Sequence, residues 1–156
     1  MATRCRPGLF LLLLFMLVLS SCTTSRGPVG FWSEHRYDQK LRPHGPWRAY
    51  YPGPPRRLAT RERFRHGRAV GKARFYGPTG TLERTEQHFR DSAGLLAITY
   101  FHPNGRVWRR GRARIVAEPD GAHFYWFGPW PVYSTAGELR KTEFYEAGNL
   151  VRAVNP

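Results

Sequence analysis

Beyond Cys22 the chain alternates apolar and polar residues in short runs, cut at near-regular intervals by glycine and proline. Alternation with a period of two sends successive side chains to opposite faces of a strand. Runs of that kind between turn residues predict many short strands, and no stretch here carries a convincing helical period.

The runs repeat. Gly45-Pro-Trp-Arg-Ala-Tyr50 parallels Gly71-Lys-Ala-Arg-Phe-Tyr76 and Gly128-Pro-Trp-Pro-Val-Tyr133, and Gly94-Leu-Leu-Ala-Ile-Thr-Tyr100 is the same phrase with one residue added. A turn follows each Tyr: Gly77-Pro78-Thr79-Gly80, His102-Pro103-Asn104-Gly105 and Ser134-Thr135-Ala136-Gly137, with a longer Pro52-Gly53-Pro54-Pro55 in the first copy. Glycine at the end of a turn tolerates positive φ, and Asn-Gly is a strong hairpin signal. An apolar residue then restarts a strand (Leu58, Leu82, Val107, Leu139), and an aromatic closes three copies (Phe64, Phe89, Phe144). The Gly-to-Gly steps are 26, 23 and 34 residues; the longest holds extra sequence over Ala117–Ala122, where Pro119-Asp120-Gly121 makes a turn of its own. The expectation is an all-β antiparallel meander over residues 45–156, a hairpin of about two dozen residues repeated four times. A lone hairpin is marginal in water, whereas stacked copies share a core. Tyr50, Tyr76, Tyr100 and Tyr133 are expected to be scaffold.

Read as Gly-x4-Tyr-x3-Gly-x-Leu, Gly71 to Leu82 resembles the MORN-type repeat, closest to the bacterial variant labelled antitoxin-like, and Gly128 to Leu139 fits the same phrase. The resemblance covers roughly residues 45–154 and implies an elongated, twisted antiparallel sheet of hairpins. The drift in repeat length departs from the tighter spacing of the family.

The N-terminus follows a different logic. Arg4 and Arg6 precede an unbroken apolar run of 11 residues, Leu9 to Leu19, and then Ser20 and Ser21. Charged, apolar and small zones in that order predict a secretory signal over residues 1–21. The run is too short for a spanning helix, which needs about 20 residues. Leu19-Ser-Ser-Cys22 resembles the lipobox of bacterial lipoproteins, which implies cleavage between Ser21 and Cys22 and lipid on Cys22. Thr23 follows where an Asp would favour inner-membrane retention, so the resemblance favours the outer membrane of a bacterial envelope. Residues 22–44 would be lipidated Cys, tether and lead-in; Thr23 to Gly30 reads as flexible, and the pattern assigns no structure to residues 31–44.

Charge changes the picture further. The whole chain carries +14, and loss of Arg4 and Arg6 with the signal leaves +12. Such a charge points to polyanions, and export turns that expectation from nucleic acid toward anionic envelope glycan or lipid. Cys5 leaves with the signal and Cys22 takes lipid, so no disulfide is available and stability must come from the core.

Arg106, Trp108, Arg110, Arg112 and Arg114 share one parity, while Val107, Gly111, Ala113 and Ile115 share the other; Arg109 breaks the apolar face. As a strand this puts an arginine ladder on one side. It would suit phosphates or carboxylates, and it equally describes a solvated strand face. His123-Phe-Tyr-Trp-Phe127 with Trp130 is the most aromatic stretch, either core or, with Trp108 and Trp126, a surface for sugar rings. The six histidines lack metal spacing, Ser134 has no nearby His in sequence, and no cofactor motif is present. The expectation is a lipid-anchored envelope binding or scaffolding module without catalysis, contacting a protein or an anionic polymer. A periplasmic immunity protein and, behind it, an envelope hydrolase are the alternatives.

Overall fold

The computed structural model describes residues 33–92 and 94–156; the expected signal, its expected cleavage site, Cys22 and the expected tether lie outside the described residues. Eleven strands follow in order: β1 (Arg36–Tyr37), β2 (Pro43–Tyr50), β3 (Leu58–Arg65), β4 (Arg68–Ala69), β5 (Gly71–Tyr76), β6 (Leu82–His88), β7 (Leu95–Phe101), β8 (Val107–Glu118), β9 (Gly121–Tyr133), β10 (Leu139–Glu146) and β11 (Asn149–Val154). They form one open antiparallel meander in chain order, with β4 set aside as a small partner of β3. The protein is all-β, as the alternation predicts, and the described residues contain no helix.

Four hairpins carry the repeat: β2–β3, β5–β6, β7–β8 and β9–β10. In each, the register slips near the turn, between Ala49 and Tyr50, Phe75 and Tyr76, Tyr100 and Phe101, and Leu139 and Lys141. Beyond the slip the closing pairs are Tyr50↔Leu58, Tyr76↔Leu82, Phe101↔Val107 and Tyr133↔Leu139. Three turns share one bond pattern: the amides of Gly80, Gly105 and Gly137 donate to the carbonyls of Gly77, His102 and Ser134 at 2.8, 2.8 and 2.9 Å. All three of these glycines have φ between 80° and 90°, a region that a Cβ disfavours. The four glycines that open the copies, Gly45, Gly71, Gly94 and Gly128, are likewise left-handed, with φ of 83°, 69°, 79° and 70°.

Turns of neighbouring hairpins are tied together. Tyr51 Oη donates to the Tyr76 carbonyl at 2.7 Å, and Arg57 to that of Pro78 at 2.8 Å. Two hairpins later, Asn104 Nδ2 donates to the Thr135 carbonyl at 2.9 Å, and Arg106 donates to that of Ala136.

Two expected places shift by one residue. The turn-flanking aromatic of the third copy is Phe101; Tyr100 stands one step earlier, opposite Arg109. The residues facing the opening glycines are Phe64, His88 and Tyr145, so Phe89 and Phe144 fall outside that place. A one-residue slip exchanges sheet faces: Phe89 is exposed, and Phe144 lies under the Arg152 guanidinium at 4.1 Å. The long third step is taken up by extending β8 and β9 to Glu118↔Gly121 around Pro119 and Asp120.

The lead-in also has structure. Asp38 accepts the amides of Lys40 and Arg42 at 2.9 and 3.0 Å, and its carbonyl accepts the Leu41 amide, which turns β1 back onto β2. The Arg42 guanidinium and then the His66 ring hold the Asp38 carboxyl well below the usual carboxylate range.

Directly opposed residues of an antiparallel pair share a face, so the register sorts the whole sheet. One face carries the core: Leu96, Ile98, Ala113 and Trp130 are buried, with Tyr100, Trp126 and Tyr145 packed against them. Each fully buried large apolar side chain contributes about 1.5–3 kcal/mol. Two extra residues of β9 between Phe127 and Val132 oppose the span from Arg109 to Arg112. They fold Trp130 back over Gly111, whose hydrogen occupies the space where a Cβ would meet the indole at 2.2 Å.

The candidate cationic face

On the opposite face lies the arginine ladder, and it is wider than one strand. Within β8, exposure alternates as expected: Arg110, Arg112 and Arg114 are exposed, while Gly111 is half-buried and Ala113 buried. Their cross-strand neighbours on this face are aromatic. Arg112 opposes Phe127 and Arg114 opposes Tyr125; the Arg114 guanidinium lies 5.8 Å from the Phe127 ring and that of Arg110 5.9 Å from the Tyr133 ring. These contacts outline two open hollows, one of about 510 Å³ lined by Arg114, Glu118, Tyr125 and Phe127, the other of about 630 Å³ lined by Arg106, Arg110 and Tyr133.

The N-terminal hairpins add cations to the same face. Arg48 opposes Arg61, Arg61 opposes Arg74, Arg74 opposes Thr85, Thr85 opposes Thr99, and Thr99 opposes Arg110. A second row runs Lys72, Gln87, Ala97, Arg112 and Phe127. Arg63 and Arg65 stand at the next same-face positions of β3. Neither row contains an Asp or Glu.

Among the described residues one member of the row, Arg48, forms an ion pair, and the other pairs go elsewhere. Arg42 pairs with Asp38, Arg48 with Glu34, Arg84 with Glu86, Arg140 with Glu138 and Lys141 with Glu143; no ion pair involves Arg61, Arg63, Arg74, Arg110, Arg112 or Arg114. Like charges directly opposed across strands cost about 0.2–1 kcal/mol, so the unpaired Arg61–Arg74 opposition is one that folding itself does not favour.

Two acids reach the arginine face, Glu118 beyond Arg114 in β8 and Glu34 beside Arg48; Glu62, Glu86 and Glu143 lie on the core face. Glu86 is 9% exposed, with Arg84 Nε at 3.0 Å, although not in hydrogen-bond alignment, and His88 Nε2 at 3.6 Å. Glu143 meets Lys141 Nζ at 2.7 Å and accepts the Tyr145 hydroxyl at 3.0 Å. Burial pushes its carboxyl up, but Lys141, Tyr145 and Arg109 outweigh that and hold it low.

Glu62 has no such partner. Burial, and then the charge of Glu86, push its carboxyl above the usual range, against weaker opposition from His88 and Arg84. A raised folded-state value stabilises below the unfolded value and loses that stabilisation as pH rises through the folded one. Glu62→Gln is therefore expected to melt higher than wild type at pH 7, with the gain fading on acidification to about pH 4. Equal melting temperatures across that range would show that Glu62 bears no desolvation cost.

The remaining expected site residues separate. The bulge in β8 leaves Trp108 between the pairs Phe101↔Val107 and Tyr100↔Arg109, and turns it away from the ladder toward the Tyr100 and His102 rings, at 6.1 and 6.3 Å. Trp130 is not surface: it is fully buried and stacks on the half-buried Trp126 at 4.2 Å, because Gly111 leaves a slot for the ring. Arg106 sits in the turn before β8, its guanidinium engaged by the Ala136 carbonyl. Arg109 lies inside the core face, 4.4–4.9 Å from the Trp108, Trp126 and Tyr100 rings; cation–π attraction takes the place of the hydrogen bond that its Nε lacks.

One cluster went unforeseen. Glu118, Asp120 and His123 bring ligand-type atoms within 4.8 Å of one another at the β8–β9 tip. They also satisfy one another and their surroundings: His123 Nε2 is 2.8 Å from Asp120, and Tyr125 Oη donates to Glu118 at 2.8 Å. Ser134 accepts the Ala136 and Glu138 amides at 3.2 Å, the role of a turn residue.

The fold and this face define a class: a single open β-meander with its core on one side and, on the other, a row of arginines most of which form no ion pair among the described residues. Compared with family models, curated proteins and solved structures, the chain matches none of them.

Proposed function

We propose that this chain is a lipid-anchored, non-catalytic binding module of a bacterial envelope, whose arginine face holds an anionic envelope polymer. The observation that carries the reading is the set of exposed arginines without carboxylate partners, Arg110, Arg112 and Arg114, flanked on the same face by Tyr125, Phe127 and Tyr133. Guanidinium forks suit phosphate, sulfate and carboxylate, and flat rings beside them suit sugar. The lack of an ion pair at Arg61, Arg63, Arg74, Arg110, Arg112 and Arg114 among the described residues supports it, although Glu118 lines the hollow beside Arg114. The lipobox-like Leu19–Cys22 and the signal before it are the support for anchoring and for placement at the outer membrane. Confinement at that surface would raise the module's effective concentration toward neighbouring polymer. Four hairpins with one shared bulge position support reading the domain as a divergent MORN-type repeat.

The test is retention on an anionic polysaccharide resin across a salt series, for wild type beside the triple variant Arg110→Ala, Arg112→Ala, Arg114→Ala. Wild-type affinity should fall steeply with salt. The triple variant should bind about a hundredfold more weakly, at about 1 kcal/mol for each arginine removed. Retention that ignores both salt and the substitutions would reduce the face to solvated surface.

A further inference from the structure

The arginines of this face are not spread evenly. One patch stands on β2, β3 and β5, where Arg48, Arg61 and Arg74 are opposed in register; the other stands on β8, with Arg110, Arg112 and Arg114. Between them β6 and β7 contribute neutral residues, Thr85 and Thr99 in one row and Gln87 and Ala97 in the next. Thr85 is 6% exposed, so the strip between the patches is a low floor rather than a wall. Strands lie about 4.8 Å apart, which sets Arg74 and Arg110, three steps apart in one row, about 14 Å from each other.

Resting on the reading above, we infer that the two patches engage one chain of linear anionic polysaccharide at the same time, and that the chain crosses the strands along the row from Arg61 to Arg110, Arg48 being paired with Glu34. The row direction fits a polymer better than a compact ion. Successive row positions are closer together than same-face residues along a strand, and the neutral floor keeps the path open. The aromatic flank exists at the β8–β9 end, in the hollows beside Arg110 and Arg114, which favours a sugar chain over a bare phosphate surface. Binding the second patch is then intramolecular, and it multiplies affinity without any new contact.

The experiment uses the detergent-solubilised full chain and two probes of one chemistry: a sulfated disaccharide, too short to span the gap, and a long sulfated polysaccharide of the same repeat. Two variants are compared with wild type, Arg61→Ala with Arg74→Ala, and Arg110→Ala with Arg112→Ala and Arg114→Ala. For the polysaccharide, each variant is expected to lose about a hundredfold in affinity, the low end of what linkage supplies. For the disaccharide, each variant should lose one of two classes of site and leave the dissociation constant of the other unchanged. The charge-conserving pair Arg61→Lys with Arg74→Lys should keep most of the polysaccharide affinity, which separates loss of charge from damage to the fold. Polysaccharide binding that responds to the β8 variant but not to the Arg61 and Arg74 variant overturns the bridging and leaves the proposed function standing. Binding that responds to neither overturns both, and binding to anionic phospholipid vesicles but not to polysaccharide overturns the choice of partner.

Discussion

Gly111→Ala should be among the most damaging single-methyl additions in this sheet. A Cβ at that position would lie 2.2 Å from two ring atoms of Trp130 and 2.5 Å from a third, so the indole must leave its place. Alanine recovers roughly 0.5–1 kcal/mol of backbone entropy in a strand, whereas overpacking a filled site costs about 1–3 kcal/mol. Here the cost extends further, because Trp130 also stacks on Trp126 and meets Tyr145 at 6.0 Å and Tyr100 at 6.4 Å. Trp130→Ala alone should cost about 3–5 kcal/mol. The informative measurement is the cycle in denaturant. With the Trp130 indole removed, the methyl added by Gly111→Ala meets no ring, so the double variant should be no less stable than Trp130→Ala, and the two losses should fail to add. Additive losses would mean that Gly111 matters for some other reason than the slot it leaves.

The same pair explains where the sequence was legible and where it was not. Turns and hairpins are local: Gly80, Gly105 and Gly137 mark their own positive φ, and the residues that follow restart a strand within a few positions. The hairpin count and order could therefore be read directly. A bulge is also local in chain length but silent in residue type, since Trp108 or Tyr100 can stand on either side of one. That slip moved Trp108 off the ladder, whereas Phe101 replaces Tyr100 because its copy carries one more residue between Gly and Tyr than the others. His88 replaces Phe89 because Phe89 stands one residue further from Leu82 than Phe64 does from Leu58. Trp130 was ambiguous for a related reason. The stretch His123 to Trp130 suits core or surface equally, and the glycine that decides between them lies on another strand.

The cationic face was half visible. Arg110, Arg112 and Arg114 stand out because one strand holds them at alternate positions. Arg61, Arg63 and Arg65 have the same spacing in β3, with Glu62 and Phe64 on the other face, so the same alternation marks them. What no single segment contains is the register. That Arg48, Arg61 and Arg74 oppose one another depends on two hairpin alignments and the pairing of β3 with β5. Asp38 is comparable: it organises the lead-in through partners at Lys40, Arg42 and His66, the last of them 28 residues away.

The largest expected effect on location comes from a residue outside the described part of the chain. Cys22→Ala should abolish acylation and release the protein from the membrane fraction. The run Leu9–Leu19, at 11 residues, falls short of the roughly 20 that cross a bilayer, so without lipid little should hold the chain there. Each buried methylene contributes about 0.8 kcal/mol, and a single acyl chain alone binds marginally, at about 10⁴ M⁻¹; the two or three chains that the lipobox-like sequence implies make attachment effectively permanent. Intact mass and fractionation of wild type beside the variant decide it. A wild-type chain that begins at Cys22, carries acyl mass and moves to the soluble fraction on substitution fixes the anchor and directs the search for a polymer to the envelope. A full-length, unacylated wild-type chain in the cytosol would sink the anchoring proposal. The same arginine face would then meet nucleic acid as its most abundant polyanion, and the polysaccharide series above would have to be repeated with it.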